Sequence, residues 1–147
     1  MSNEPYGTLL GAISLDGKFL TQEFSLDLLC QRLLTLKEDS IEILTDLDWT
    51  IPSHFRFKKF NPQSFDLNVA SLKAPFFLLC SPLANKLALE VGIVSRISVL
   101  WTPSFYLGKK QYLFDAFLAA NKRIKLNLES WEIFPEGCAC HYKIAKH

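Results

Sequence analysis

A short polar stretch near the amino terminus carries three side chains that could act together on a ligand. Ser14-Leu15-Asp16-Gly17-Lys18 places a hydroxyl, a carboxylate and an amine two residues apart, directly after an apolar run. At the mouth of a sheet these groups would meet a ligand. The Asp-Gly pair is also a strong hairpin signal, because glycine accepts the positive φ of a tight turn. The stretch alone leaves both interpretations open.

A second chemical candidate lies near the carboxyl terminus. Cys138, Cys140 and His141 resemble a fragment of a metal site, but a zinc site needs four convergent ligands and the second pair is missing. We therefore expect no metal and four reduced cysteines. His54 and His141 have no serine, cysteine or aspartate partner at a recognisable spacing, so the sequence does not support a hydrolytic triad.

Composition limits the class of protein. A chain of 147 residues with 49% hydrophobic and 21% charged residues is typical of one packed domain. The net charge of +1 is no footprint of a nucleic-acid-binding protein. The amino terminus lacks the features of a signal peptide, and no apolar run reaches the ~20 residues of a membrane helix. We expect a cytoplasmic protein that contacts neither nucleic acid nor membrane.

The first half of the chain alternates strand and helix. Residues 7–14 form an apolar run typical of a buried strand, and apolar residues then recur at helical spacing from about 25 to 37, with Ser25 or Thr21 as the cap. A short strand is predicted over 41–45. Proline and polar residues dominate 46–74, where we predict loops and one strand around His54 to Phe60.

The second half is clearer. The run Phe76 to Cys80 is apolar at every position, as in a central strand covered on both faces. Ser81-Pro82 then caps a helix that ends at Gly92, and we predict its apolar face from Leu83, Leu87 and Val91 together with Ala84 and Ala88. A strand over 93–101 and a long closing hairpin with its corner at 135–137 complete an α/β sheet with a mixed edge.

Taken in order, these pieces resemble the C-terminal reductase domain of the bifunctional deaminase-reductase of riboflavin biosynthesis. The resemblance covers residues 7–45 and 75–145 and implies one shortened dihydrofolate reductase-like domain over 1–147, with a mixed sheet flanked by helices. The motifs that carry it are the opening Ser14 to Lys18, then Glu90 to Val94, Pro103, Leu107-Gly108, Leu113-Phe114, and the closing Glu129-Ser130 and Phe134 to Cys138.

The resemblance implies an activity and a set of site residues. Members of this family reduce a ribosylaminopyrimidine with NADPH, and NADPH phosphates lie against a Gly-Gly turn and the helix that follows it. Ser14, Asp16 and Lys18 then lie on the substrate side: Asp16 would orient or protonate a substrate nitrogen, and Lys18 would pair with a ribose phosphate. The cofactor side maps to Cys80, Ser81, Pro82 and Leu83.

The cofactor turn departs from the family pattern. The acidic residue and both glycines are replaced in Leu79-Cys80-Ser81-Pro82, so the side chains of Cys80 and Ser81 are expected to fill the space of a phosphate, and the Ser81 hydroxyl can cap the helix itself.

Three hypotheses follow: a pyrimidine reductase relative with lost or reduced NADPH binding, a non-catalytic binding or assembly module that keeps the fold, and an unrelated structural α/β domain. The ligand expected for the first is a small phosphorylated pyrimidine or pteridine-like molecule. We also expect a homodimer, because the family pairs through its sheet edge and closing hairpin and because aromatic residues cluster in one part of the sequence: Phe105, Tyr106, Tyr112, Phe114 and Phe117.

Overall fold

One mixed sheet organises the part of the chain that the structure, a computed structural model, describes: residues 7–34, 42–47, 56–59, 76–92, 94–104 and 125–145. Its strands are β1 (Gly7–Ile13), β2 (Glu42–Thr45), β3 (Arg56–Lys59), β4 (Phe76–Leu79), β5 (Val94–Trp101), β6 (Leu126–Phe134) and β7 (Gly137–Ile144). The described helices are α1 (Leu26–Leu33) and α2 (Pro82–Val91), and a 3₁₀ turn spans Thr21–Glu23.

The strand order is β3-β2-β4-β1-β5-β7-β6. The strands from β3 to β5 are parallel neighbours, whereas β7 pairs antiparallel with both β5 and β6. The predicted α/β sheet with a mixed edge and a closing hairpin is therefore confirmed. The strand predicted around His54 to Phe60 corresponds to β3, although His54 itself lies outside the described residues.

Burial on both faces explains the apolar central strands. Along β4, Phe76 and Leu78 belong to the cluster beneath α2, while Phe77 and Leu79 belong to the cluster beneath α1. The alternation continues in β5, where Ile97 and Val99 face one cluster and Leu100 the other, as predicted. Because side chains alternate between faces of a strand, a strand covered on both faces must be apolar at successive positions.

Both helices begin at the predicted serine caps. The Ser25 hydroxyl accepts from the Leu28 amide at 3.2 Å, and the Ser81 hydroxyl accepts from the Ala84 amide at 3.3 Å. Helix α2 ends before Gly92, which adopts the left-handed conformation that favours glycine. Helix α1 ends at Leu33, because Leu34 has an extended backbone, so the predicted end at about residue 37 is too late. Neither of these two helices is long and apolar enough to cross a membrane.

The predicted core face of α2 is confirmed at Ala84 and Ala88 and wrong at Leu83. Leu83 is 58% exposed and Leu87 is half-buried, whereas Ala84, Asn85 and Ala88 are fully buried. The side of α2 that faces the core therefore consists of small side chains and one amide. Leu83 therefore points away from the core.

The closing hairpin docks on the sheet at its corner. A Cβ atom added at Gly137 would lie 2.1 Å from the Trp101 carbonyl oxygen, so only glycine allows β7 to approach β5 there. On the α1 side, the Arg32 guanidinium contacts the Glu136 carboxylate at 2.5 Å and stacks over the Phe134 ring at 4.6 Å. The hairpin corner is thereby held by both a strand and a helix.

Two side chains form a polar contact across the centre of the β5–β7 pair. Ser98 and His141 lie opposite each other, with 2.7 Å between the serine Oγ and the histidine Nδ1. The sequence could not reveal this serine partner of His141, because the two residues are 43 positions apart. Burial lowers the pKa of His141 from 6.5, despite the opposing field of Glu132 and Glu129.

Replacing Gly137 by alanine is expected to lower the free energy of unfolding by at least about 2 kcal/mol, because the new methyl overlaps a backbone carbonyl that cannot rotate away. Chemical denaturation measures this difference. Gly92→Ala is the matched control: its site has open space within 4 Å, so only the left-handed backbone cost of about 1 kcal/mol remains. Equal losses for both variants would contradict the close approach at Gly137.

The lowered pKa of His141 predicts acid sensitivity. The folded state favours the neutral ring, so its stabilising contribution is complete above pH 6.5 and is lost as the pH falls through the lower folded-state pKa. The variant His141→Asn keeps a polar partner for Ser98 without a titrating ring. Denaturation midpoints measured from pH 8 to pH 5 should fall more steeply for the unmodified chain than for this variant. Parallel curves would show that His141 does not titrate differently on folding.

Candidate functional site

The carboxyl ends of β1 and β4 lie side by side at one end of the sheet. We call the place where the chain leaves these two strands the crevice. These strands are parallel neighbours, and Leu10 of β1 lies opposite Leu79 of β4. The chain leaving β1 leads to α1 on one face, whereas the chain leaving β4 leads to α2 on the other. Ligands of open α/β sheets bind where neighbouring strands send their connections to opposite faces. The structure thus brings both predicted halves of the site, 14–18 and 80–83, to the same edge.

The stretch 14–18 is a tight corner. The Gly17 amide donates to the Ser14 carbonyl at 3.0 Å, and the Ser14 amide donates to the Lys18 carbonyl at 3.1 Å. Gly17 has φ 85°, but the central turn residues are Leu15 and Asp16. The turn is therefore a three-residue loop with glycine in third place, rather than a two-residue Asp-Gly turn. The hairpin interpretation of this stretch is confirmed.

The polar side chains of this corner hold its shape. The Ser14 hydroxyl donates to the Asp16 carboxylate and accepts from the Lys18 amide at 3.0 Å. Ser14 is fully buried and Lys18 is 9% exposed, while Asp16 is half-buried. Among the three predicted substrate-side residues, Asp16 is thus the one with the most accessible side chain.

Cys80 does not fill the mouth of the crevice. Its side chain is 1% exposed within the apolar cluster beneath α2, and its thiol donates to the Leu44 carbonyl at 3.4 Å. Burial, and secondarily the charge of Asp46, raises the pKa of the Cys80 thiol well above its usual value. The expectation that this side chain fills the phosphate space is therefore wrong. Pro82 is also buried, while Leu83 is exposed.

A carboxylate that the sequence analysis missed occupies the start of α2. Asp46 accepts from the Ser81 amide at 2.8 Å through Oδ1 and from the Ser81 hydroxyl at 2.5 Å through Oδ2. A negative group in this position is stabilised by the free amides and the partial positive charge of a helix N-terminus. Asp46 directly follows β2, the parallel neighbour of β4, so strand order was the signal that could have identified it.

The described residues of this turn do not fit a phosphate group. A phosphate would need the Ser81 amide and hydroxyl as donors, and Asp46 already accepts from both. Its negative charge would also repel the phosphate. Asp46 thus occupies two of the hydrogen-bond donors at the start of α2.

A buried amide lies one turn into α2. Asn85 is fully buried, and its Nδ2 donates to the Cys80 carbonyl at 3.5 Å. Its Oδ1 has no hydrogen-bond partner within the described part of the chain. Asn85 therefore places an unsatisfied acceptor behind the turn, which sequence analysis did not single out.

The remaining candidates do not join this crevice. Ser98 and His141 lie within the strands, and the serine contacts Nδ1, the atom that a carboxylate contacts in a hydrolytic triad. Across the ranges that the structure describes, no three histidine, cysteine or acidic side chains converge as metal ligands. Glu129, on the closing hairpin, pairs with Arg96 at 2.8 Å while staying partly exposed.

Comparisons with known proteins bear on the fold. No family model matches the sequence, and no curated protein sequence matches it significantly. Among solved structures, a pyrimidine reductase-like protein from Corynebacterium diphtheriae superposes with a TM-score of 0.61 at 14% identity, covering 99% of this chain and 94% of that chain.

Two further structures agree. The deaminase/5-amino-6-(5-phosphoribosylamino)uracil reductase from Thermotoga maritima gives a TM-score of 0.60 at 10% identity, over 97% of this chain and 57% of that chain. The riboflavin biosynthesis reductase Rib7 from Saccharomyces cerevisiae gives 0.54 at 13% identity, over 97% and 90%. The chain therefore has the dihydrofolate reductase-like fold of the riboflavin-pathway pyrimidine reductases, as its sequence motifs predicted.

Proposed function

We propose that this chain is a relative of the NADPH-dependent pyrimidine reductases in which NADPH binding is lost or strongly reduced. The contact between Asp46 and Ser81 carries the proposal. The fold supports kinship with those reductases, and the carboxylate supports the change in cofactor binding. The chemistry that NADPH supplies in the family is hydride donation, which requires the cofactor to be bound.

A phosphate at the start of α2 would lack the two Ser81 donors and would meet the negative charge of Asp46. A phosphate that binds without the Ser81 amide and hydroxyl forgoes two hydrogen bonds, each worth roughly 1.5–3 kcal/mol to a charged group. Together these losses weaken binding by about two to four powers of ten. Displacing Asp46 instead would leave its half-buried carboxylate without the same two donors. Either route disfavours the cofactor.

The other half of the crevice is proposed to bind the ligand. By resemblance, Asp16 orients a ring nitrogen and Lys18 supplies positive charge for a phosphate of a small pyrimidine or pteridine-like molecule. The half-buried Asp16 carboxylate beside the Ser14 hydroxyl supports the first role, since the hydroxyl fixes its orientation. Ligand binding without turnover is the property that the non-catalytic module hypothesis also predicts.

Fluorescence titration with NADPH tests the role of Asp46. The unmodified chain is expected to show no saturation at micromolar NADPH, and Asp46→Ala should bind about 100-fold more tightly because two donors are released and one negative charge is removed.

Glu90→Ala is the matched control. It removes the same charge from the opposite end of α2, where Glu90 forms only an exposed pair with Lys86 at 3.8 Å. NADPH affinity should not change in this variant. Micromolar binding by the unmodified chain would overturn the proposal. Equally weak binding by all three proteins would exclude Asp46 as the obstacle and favour a non-catalytic module.

We also propose that the protein is a homodimer that pairs through β6. This strand is the edge of the sheet, and it exposes a row of apolar side chains: Leu126, Leu128, Trp131 and Ile133, which are 37%, 53%, 60% and 73% exposed. A second copy could pair its own β6 antiparallel about a two-fold axis. The apolar rows of the two copies would then lie side by side and shield each other from water. The aromatic residues from Phe105 to Phe117 lie outside the described residues.

Light scattering measures the proposed assembly. The unmodified chain should have the mass of a dimer at micromolar concentration, and Trp131→Glu should have the mass of a monomer, because a charge replaces an apolar contact at the centre of the row. Leu83→Glu provides a control at an equally exposed leucine on α2 and should remain dimeric. A monomeric unmodified chain would refute the dimer.

A further inference from the structure

We propose that Cys138 and Cys140 form a two-thiolate binding site for a soft, thiophilic cation of the zinc, cadmium or copper(I) class. The two sulfur atoms lie 3.7 Å apart on one face of β7. Both residues are half-buried, so the pair is accessible without being fully solvated. This site is separate from the crevice at β1 and β4, and the proposal does not depend on the proposed function.

The sulfur separation matches a shared metal ion. Thiolates bind zinc at ≈2.3 Å, and a tetrahedral angle between two such bonds places the sulfurs about 3.8 Å apart. The measured 3.7 Å therefore needs almost no rearrangement of the strand. Soft cations prefer thiolate ligands over the oxygen and nitrogen donors that other side chains offer.

The strand geometry disfavours the competing chemistry, which is a disulfide. Residues two apart in a strand are separated by about 6.6 to 6.8 Å along its axis, at the upper limit for the Cα atoms of a disulfide. Bond formation would draw the sulfurs from 3.7 Å to about 2.05 Å and bend β7 where it pairs on both sides, with β5 and β6. Chelation leaves that pairing intact.

The surroundings of the pair suit a bound cation that remains exchangeable. On this face, Cys138 lies between Trp101 and Ile133, and Cys140 lies between Val99 and Trp131. These strand neighbours bring apolar surface and no cationic side chain that would compete for the thiolates. The Tyr142 hydroxyl, on the same face of β7, interacts with Cys140. A bound metal ion displaces the thiol protons.

The proposed site differs from the structural zinc site that the sequence analysis excluded. That exclusion concerned four protein ligands closing around a metal, whereas two thiolates leave coordination positions open to water. An open site of this kind loads when the cation is offered and empties to a chelator. Each bound divalent cation should release two protons, one from each thiol.

Cadmium titration of the reduced protein tests the proposal. The thiolate-to-cadmium charge-transfer absorption should saturate at one ion per chain, with two protons released per ion. Cys138→Ser and Cys140→Ser should each weaken binding at least about 100-fold, because each single variant loses the intramolecular second ligand. The double variant should give no band. Cys30→Ala, which removes a buried thiol beneath α1, should bind as the unmodified chain does.

A second measurement needs no variant. Cadmium should protect Cys138 and Cys140 from iodoacetamide, as read by peptide mass spectrometry, without changing the labelling of Cys30 or Cys80. Absence of binding, a band that survives in the double variant, or protection outside the pair would overturn the proposal. Rapid formation of a disulfide between Cys138 and Cys140 with oxidised glutathione would also overturn it, since the strand geometry opposes that bond.

Discussion

The structure depends on strand β1 being buried on both faces between two parallel neighbours. β4 and β5 flank this strand, and side chains from its two faces pack in the apolar clusters beneath α1 and α2. A strand in this position is apolar where both of its faces are buried, so polar side chains occur near its ends. That constraint places Ser14 and the corner after it at the sheet edge, directly beside the turn after β4. The crevice follows from the strand order.

The partial positive charge at the start of α2 attracts a negative group. Any helix that begins at this edge presents free amides and a partial positive charge, and something negative will occupy them. In this chain the occupant is Asp46, which is held by both the amide and the hydroxyl of Ser81. The residue that follows β2 therefore supplies the negative group at the start of α2 in this chain.

The closing hairpin has two chemically different faces. The α1 side carries polar contacts, Ser98 with His141 and Arg96 with Glu129. The other side carries the cysteine pair and the exposed Trp131 and Ile133. A bulge between Leu128 and Ser130, with Glu129 as the extra residue, places Leu128 on the same face as Trp131 and Ile133. One face of the hairpin is thus polar and charged, and the opposite face is apolar.

The sequence by itself determined the elements and their order. Apolar periodicity identified β4, β5 and α2, the serine caps located the helix starts, and the motif order identified the fold, because these signals arise from residues close together in the chain. It failed for Leu83, whose leucine type suggested core. Tertiary packing sets which side of α2 faces the sheet, and the structure turns Ala84 and Ala88 inward and Leu83 outward.

Only the tertiary structure decided what occupies the site. Asp46 and Ser81 are 35 residues apart, and Ser98 and His141 are 43 apart, so no local pattern links either pair. Parallel strand pairing brings the first two together, and antiparallel pairing brings the second two together. The resemblance could predict that residues 14–18 and 80–83 lie near each other. Hydrogen-bond geometry was needed to show that Asp46 contacts Ser81 there, because strand pairing depends on contacts across the whole sheet.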